Sequence, residues 1–230
     1  MKQLIILILP FILMAQTYIF SGGTDNVVQI MAAKILQKAY ARADIFIEPK
    51  FTTLDNSLLL SSTGKTDGEL ARIKNISKVY PNLIQVPVVL VSVEAVAYSK
   101  NTDLNIQTWD DLIGHDFSIV KGAKFIEKGT SHLQKDLVSS FQEAFEALSR
   151  GETEIIVIPK KAGIRLILQK EYQDIKPVSP TLKKLDLYHF VHKKNAHLIP
   201  IITPILKQME KNEEILYLRH SYLRSVTSKY

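Results

Sequence analysis

The 230-residue sequence contains no cysteine. Disulfide frameworks, zinc fingers and thiol nucleophiles are therefore excluded. An anchor built on a lipidated N-terminal cysteine is excluded with them. Dense Lys/Arg blocks are missing as well. The formal net charge is +6 and the pI about 9.3, but basic residues come singly or in short pairs such as Lys160-Lys161, Lys183-Lys184 and Lys193-Lys194. That spread fits a lysine-rich surface, and no nucleic-acid partner is expected. Gly-rich phosphate signatures are absent, since Ser21-Gly22-Gly23 continues into neither GxGxxG nor GK[ST]. Neither HExxH nor a nucleophile elbow occurs. His189, His192 and His197 follow a spacing that fits no single helical face, and Lys193-Lys194 lie between them. No metal and no cofactor are predicted.

The one long apolar run lies at the N-terminus, and an uncleaved anchor stays open as a second reading because Thr17 to Phe20 extends it. Leu4 to Ala15 is apolar, broken only by Pro10, and covers about a dozen residues against the roughly 20 a spanning helix needs. Behind Met1-Lys2, that layout predicts a secretory leader over residues 1–15, with the mature chain starting near Gln16 in the periplasm. The hydrophobic share of 46% supports one large domain or two smaller lobes with real cores.

The stretch Asp67-Gly68-Glu69-Leu70-Ala71-Arg72-Ile73 packs three charges into an otherwise strand-like segment. Charges so close to apolar core positions point to a cleft; a solvated strand edge is the other reading. Upstream, Tyr18-Ile19-Phe20 reads as a short buried strand, Ser21-Gly22-Gly23 as a turn, and Thr24 as an N-cap with Asp25 and Asn26 in the first helical turn. Val28, Met31, Ile35 and Ala39 form one helical stripe. Asp44 to Glu48 reads as a strand closed by Pro49. Strand, helix and strand over about 30 residues make a βαβ unit and imply a parallel sheet. Leu54 to Leu60 predicts a second helix. Val86 to Ser99 predicts a long strand, with Pro87 marking an edge or bulge.

A second βαβ unit starts near residue 100. Thr108 caps a short helix through Leu112, Phe117 to Val120 is a strand, and Lys121 to Lys124 is a turn. Leu137, Phe141, Ala144, Phe145 and Leu148 form a helical stripe, and Glu154 to Ile158 is a buried strand. Gly163 to Gln169 reads as a helix. Ala196 to Asn212 predicts another, with Ile201, Ile205 and Met209 on one face.

In this order the pieces resemble the extracellular solute-binding proteins of family 3, the periplasmic components of polar amino-acid ABC transporters. The resemblance rests on Gly64-x-x-Asp67-Gly68-Glu69-Leu70-Ala71-Arg72, Tyr80 to Pro87, Ala97-Tyr98-Ser99-Lys100, Thr108 to Gly114, Lys121-Gly122, and Ala147-Leu148-x-x-Gly151-x-x-Glu154. It implies an α/β, two-lobe, type II periplasmic-binding-protein-like fold, each lobe a mostly parallel sheet flanked by helices. Carried over, lobe one spans residues 16–95 plus 186–230 and lobe two 96–185, closing by a hinge around a small ligand. The family's carboxylate-binding Arg after the third strand is missing between Lys74 and Lys78. Its amine-binding Asp is missing too, because the strand before it ends Ile158-Pro159-Lys160.

Arg72 is the candidate for a two-pronged bond to a ligand anion. Glu69 would pair with it or accept from a ligand amine, although strict strand alternation puts residues 69 and 72 on opposite faces. Tyr18 and Ser21 are cleft candidates in lobe one, and Lys121 and Lys124 in lobe two. A monomeric, non-enzymatic protein is expected. It would capture a small polar or anionic solute, amino-acid-like in size, for a membrane permease. A sensory module signalling to a membrane partner is the alternative. A dehydratase-like enzyme using Glu69 as its acid is a third reading.

Overall fold

A computed structural model describes residues 16–24 and 27–227. The predicted leader and the predicted first-turn residues Asp25 and Asn26 lie outside the described residues. The first βαβ unit is β1 (Thr17–Gly23), α1 (Val27–Ala41) and β2 (Phe46–Thr52). β1 runs past Phe20, so Ser21-Gly22-Gly23 is strand where a turn was expected. It pairs in parallel with β2 from Thr17↔Phe46 to Gly23↔Thr52. β2 likewise runs through Pro49 instead of stopping there. It borders only β1, so a missing N–H on its outer side costs no ladder bond.

α2 (Leu54–Ser62) starts at Thr53, whose side chain accepts from Asn56 N. Next come β3 (Gly68–Ile73) and the 17-residue β4 (Leu83–Ser99). The second half holds β5 (Phe117–Val120), α3 (Lys124–Gly129), β6 (Asp136–Val138), α4 (Phe141–Arg150), β7 (Ile155–Pro159) and α5 (Lys160–Ile167). The chain returns through β8 (Lys176–Pro177) and β9 (Lys183–His192), then closes with α6 (Leu198–Lys211) and α7 (Glu214–Thr227).

One sheet runs β2-β1-β3-β9-β4-β7-β5-β6, with β8 beside β4. β1 is parallel to β2 and β3, and β5 is parallel to β6 and β7. The long antiparallel pair β4–β9 joins these two groups. β4 pairs early with the end of β9, at Leu83↔His192, and late with β7, at Ala95↔Pro159. Its register slips between Gln85 and Val89. Pro87 sits in that slip, as the sequence suggested, because a bulge excuses the missing donor.

Two predicted helical stripes are corrected. Leu137 pairs in β6 with Ile119 of β5 and is exposed; α4 begins only after Ser140, whose hydroxyl caps Glu143 N. The buried face of α6 is Leu198, Ile202, Leu206 and Met209. Ile201 points to solvent and Ile205 is only partly buried, because over the first turns the stripe lies one residue, about 100°, away from the one read in the sequence; Met209 is common to both. Among the described residues, no helix is long and apolar enough to cross a membrane.

Candidate functional site

The carboxyl ends of parallel strands β1 and β3 face those of β5 and β7 across a cleft beside β4 and β9. That is where ligands collect in sheets of this kind. Its centre is a polar cluster on β3 and α2. Glu69 is fully buried and Arg72 only 6% exposed. The β3–β9 register shifts between these two residues. The shift breaks the two-residue alternation and lets both side chains turn to the same side. Arg72 Nε donates to Glu69 Oε2 at 2.9 Å. Ser57 and Ser61, one turn apart on α2, donate to Glu69 Oε1 at 2.9 and 2.8 Å. A buried carboxylate needs this many donors to offset its lost hydration.

Arg72 spends most of its remaining donors on the protein. Its terminal nitrogens reach Leu54 O, Ser57 Oγ at 2.8 Å, and Gly122 O at 3.2 Å on the far side of the cleft. Gly122 follows β5 with φ +87°, and a Cβ there would stand 2.4 Å from Asp55 N. Glycine therefore lets the two halves touch backbone to backbone. The Gly122 N–H is taken by Glu127 Oε1 at 2.6 Å. Lys121 and Lys124 straddle this contact, 3.4 and 3.6 Å from the Asp55 carboxylate. Burial works against the charge of Lys124. The Glu127 hydrogen bond and charge, with Tyr80 and Asp55, outweigh it and leave the ammonium above its ordinary range.

Two spaces flank the pinch. The smaller, about 40 Å³, adjoins Arg72, Gly122 and Phe125. It holds a few waters at most. The larger, about 350 Å³, lies between α1 and α5, walled by Val27, Val28, Val93, Pro159, Ile164 and Leu168. Both share Val28, Val93 and Pro159, so they are parts of one cleft. Lys160, Lys161, Arg165 and Glu94 edge the larger chamber. Glu94 accepts from Thr181 Oγ1 at 2.9 Å and lies 3.7 Å from Lys160 Nζ. Lys161 is half-buried. Burial, with Arg219 and Lys184 nearby, pushes its ammonium below the usual range against the pull of Glu94. Among the described residues no hydrogen bond or ion pair satisfies it.

The structure thus joins Glu69, Arg72, Lys121 and Lys124, but not as free ligand groups. Glu69 lines neither space and stands behind Arg72. Ser21 is buried behind both, donating to Ser57 O at 3.0 Å and lying 2.9 Å from Thr66 Oγ1. Tyr18 is far from the cluster. It stands near the start of β1, not at the carboxyl end that faces the cleft, and its hydroxyl meets His197 Nε2 at 3.1 Å. The histidines serve the fold. His189 Nδ1–H donates to Glu69 O at 2.7 Å, and its Nε2 accepts from Tyr40 OH at 2.9 Å. Burial pushes its pKa down to about 4, which keeps the ring neutral for that pattern. Sequence reasoning missed Ser57, Ser61, Asp55 and Lys161. Ser57 lay on the predicted helix, but Ser61 falls just past its expected end at Leu60, and only the longer observed α2 puts the two hydroxyls one turn apart.

No family model matches the sequence, and no curated protein matches it. Solved structures do match in fold. A histidine kinase sensor domain with similarity to periplasmic binding proteins superposes at TM-score 0.77 and 14% identity, over 90% of this chain and 96% of that one. An ancestral arginine-binding protein bound to arginine matches at TM-score 0.77 and 16% identity, over 90% and 97%. An amino acid ABC transporter substrate-binding protein from Streptococcus pneumoniae bound to L-arginine matches at 0.74 and 14%, over 91% and 95%. The chain therefore has the two-lobe α/β fold of periplasmic binding proteins.

Proposed function

We propose that the protein captures a small anionic solute in the cleft between its halves and presents it to a membrane permease. The observation that carries this reading is the apolar chamber of about 350 Å³ with unpaired, half-buried Lys161 on its wall. A desolvated cation beside apolar walls favours an anion with a short apolar body. Lobe one would be residues 16–95 plus 186–230 and lobe two 96–185, hinged on β4 and β9. Arg72 and Gly122 O would form the closing contact, and Lys121 and Lys124 its polar rim. The arginine held by two of the structural neighbours is a poor candidate here. Lys160, Lys161 and Arg165 outnumber Glu94 around the chamber, and they would repel a cation.

The likeness to a sensor domain supports a second reading, in which closure signals to a membrane partner instead of feeding a transporter. Gene neighbours separate the two: permease and ATPase genes favour transport. The binding step itself is tested by thermal melts against short branched carboxylates, other organic anions and L-arginine. Anions should raise the melting temperature in step with their concentration, and Lys161→Met should abolish the rise. A panel in which no anion shifts the melt, or only arginine does, would overturn the proposal.

A further inference from the structure

Next to the small space beside Arg72, with which it shares only Ile73 and Phe125, lies a more open groove of about 600 Å³. Its walls come from three parts of the chain. Ile73 and Lys74 belong to the end of β3, Trp109 and Lys128 to the second half, and Lys183 and Tyr188 to β9. None of the chamber residues around Lys161 takes part.

The groove has a chemistry of its own. Among the described residues the ammonium groups of Lys74, Lys128 and Lys183 make no hydrogen bond or ion pair. The indole N–H of Trp109 and the hydroxyl of Tyr188 have no hydrogen-bond partner either. The one lining carboxylate, Asp186, already accepts from Ser92 Oγ at 2.8 Å. Trp109 has a built seat. A Cβ on Gly129 would stand 2.5 Å from its Cε2, so glycine there lets the indole lie against α3. Half-buried aromatic faces beside several unpaired cations match a ligand that is flat on one side and anionic on the other.

We infer that this groove binds a planar aromatic anion, its ring against Trp109 and Tyr188 and its acid group on Lys74, Lys128 and Lys183. Such a ligand would touch both halves and a crossover strand at once. It would therefore bind the approached arrangement better than a separated one.

Trp109 is the single tryptophan of the sequence, so its emission reports the site directly. The protein is titrated with phthalate and adenosine monophosphate, which share a ring and an oxyanion but differ in headgroup. Succinate and inorganic phosphate supply the anion without the ring. Saturable quenching by phthalate or adenosine monophosphate is expected, and which of them wins identifies the headgroup. The ringless anions should bind at least about tenfold more weakly. Lys128→Ala/Lys183→Ala should weaken the aromatic ligand about tenfold without changing the melting temperature, since both lysines are exposed. Calorimetric titration of Trp109→Leu should show the same loss without relying on the reporter. The inference is overturned by unsaturable quenching with every probe, by succinate or phosphate matching the aromatic compounds, or by unchanged affinity in the lysine double variant.

Discussion

Replacing Glu69 by Gln removes one charge from the cleft centre and almost no volume. Glu69 is fully buried and accepts from Ser61 Oγ at 2.8 Å, Ser57 Oγ at 2.9 Å and Arg72 Nε at 2.9 Å. Because Gln fills the same space, no cavity contributes to the effect. What remains is an arginine held in a dry site without its counter-charge. Breaking a buried pair in this way costs about 3–5 kcal/mol. For a chain of this length each kcal/mol lowers the melting temperature by about 2–4 °C. Glu69→Gln should therefore melt roughly 6 to 20 °C below the parent.

Arg72→Met supplies the other arm of the test. It leaves the carboxylate with its serines, and it strips a donor from Leu54 O and Gly122 O. The double variant Glu69→Gln/Arg72→Met buries no net charge. It should therefore be less destabilised than the sum of the singles by about 2–3 kcal/mol. Urea unfolding followed by circular dichroism measures all four proteins on one scale. A Glu69→Gln variant within about 1 kcal/mol of the parent would refute the reasoning, as would a double variant equal to the sum of the singles within about 0.5 kcal/mol.

Gly122→Ala places a methyl group against Asp55 N in a left-handed turn. It should hold the halves apart, raise the radius of gyration in solution scattering and weaken anion-induced stabilisation; an unchanged scattering curve would contradict it. His189 bears on acid stability. Burial lowers its pKa from 6.5 to about 4, so the unfolded chain binds the proton first as pH falls. The stabilisation is complete above about pH 6.5 and drains away on the way down to about pH 4, reaching about 2 kcal/mol of loss by pH 5. His189→Gln can still donate to Glu69 O and accept from Tyr40 OH, and it should lose that part of the slope in urea unfolding. A variant with the parent's pH profile would rule out His189 as the source.

Local pattern carried most of the fold. The first βαβ unit and the strand from Phe117 to Val120 follow from period and β-branched content, both of which act over a few residues. The site was harder for a related reason. Alternation places residues 69 and 72 on opposite faces, and only the slip against β9 reunites them. That slip depends on a partner more than a hundred residues away. Leu137 fails in the same way: its spacing to Phe141 is helical, but pairing with Ile119 holds it in a strand. Lys161 left no mark beyond its charge, because what distinguishes it is burial across a hinge from α1. Glu69 and Arg72 could be singled out because charge inside an apolar strand is a local anomaly; the identity of their partners was not local.

The cleft centre is satisfied without a solute, since Arg72 already bridges Leu54 O and Gly122 O. Closure at that point thus needs no ligand, and a ligand shifts the balance only by what it gains in the closed form. Lys161 belongs to α5, on one side of the hinge, and its charge can meet an anion before the halves close, although its burial depends on the closed form. Val27 and Val28 of α1 face Ile164 and Leu168 of α5 across the chamber, and only in the closed form does one solute touch both. Charge at Lys161 therefore recruits the solute, while apolar bulk spanning α1 and α5 drives closure. An anion too small to reach both walls would gain on closure only the drier surroundings of Lys161, and would shift the hinge less than a solute that spans α1 and α5.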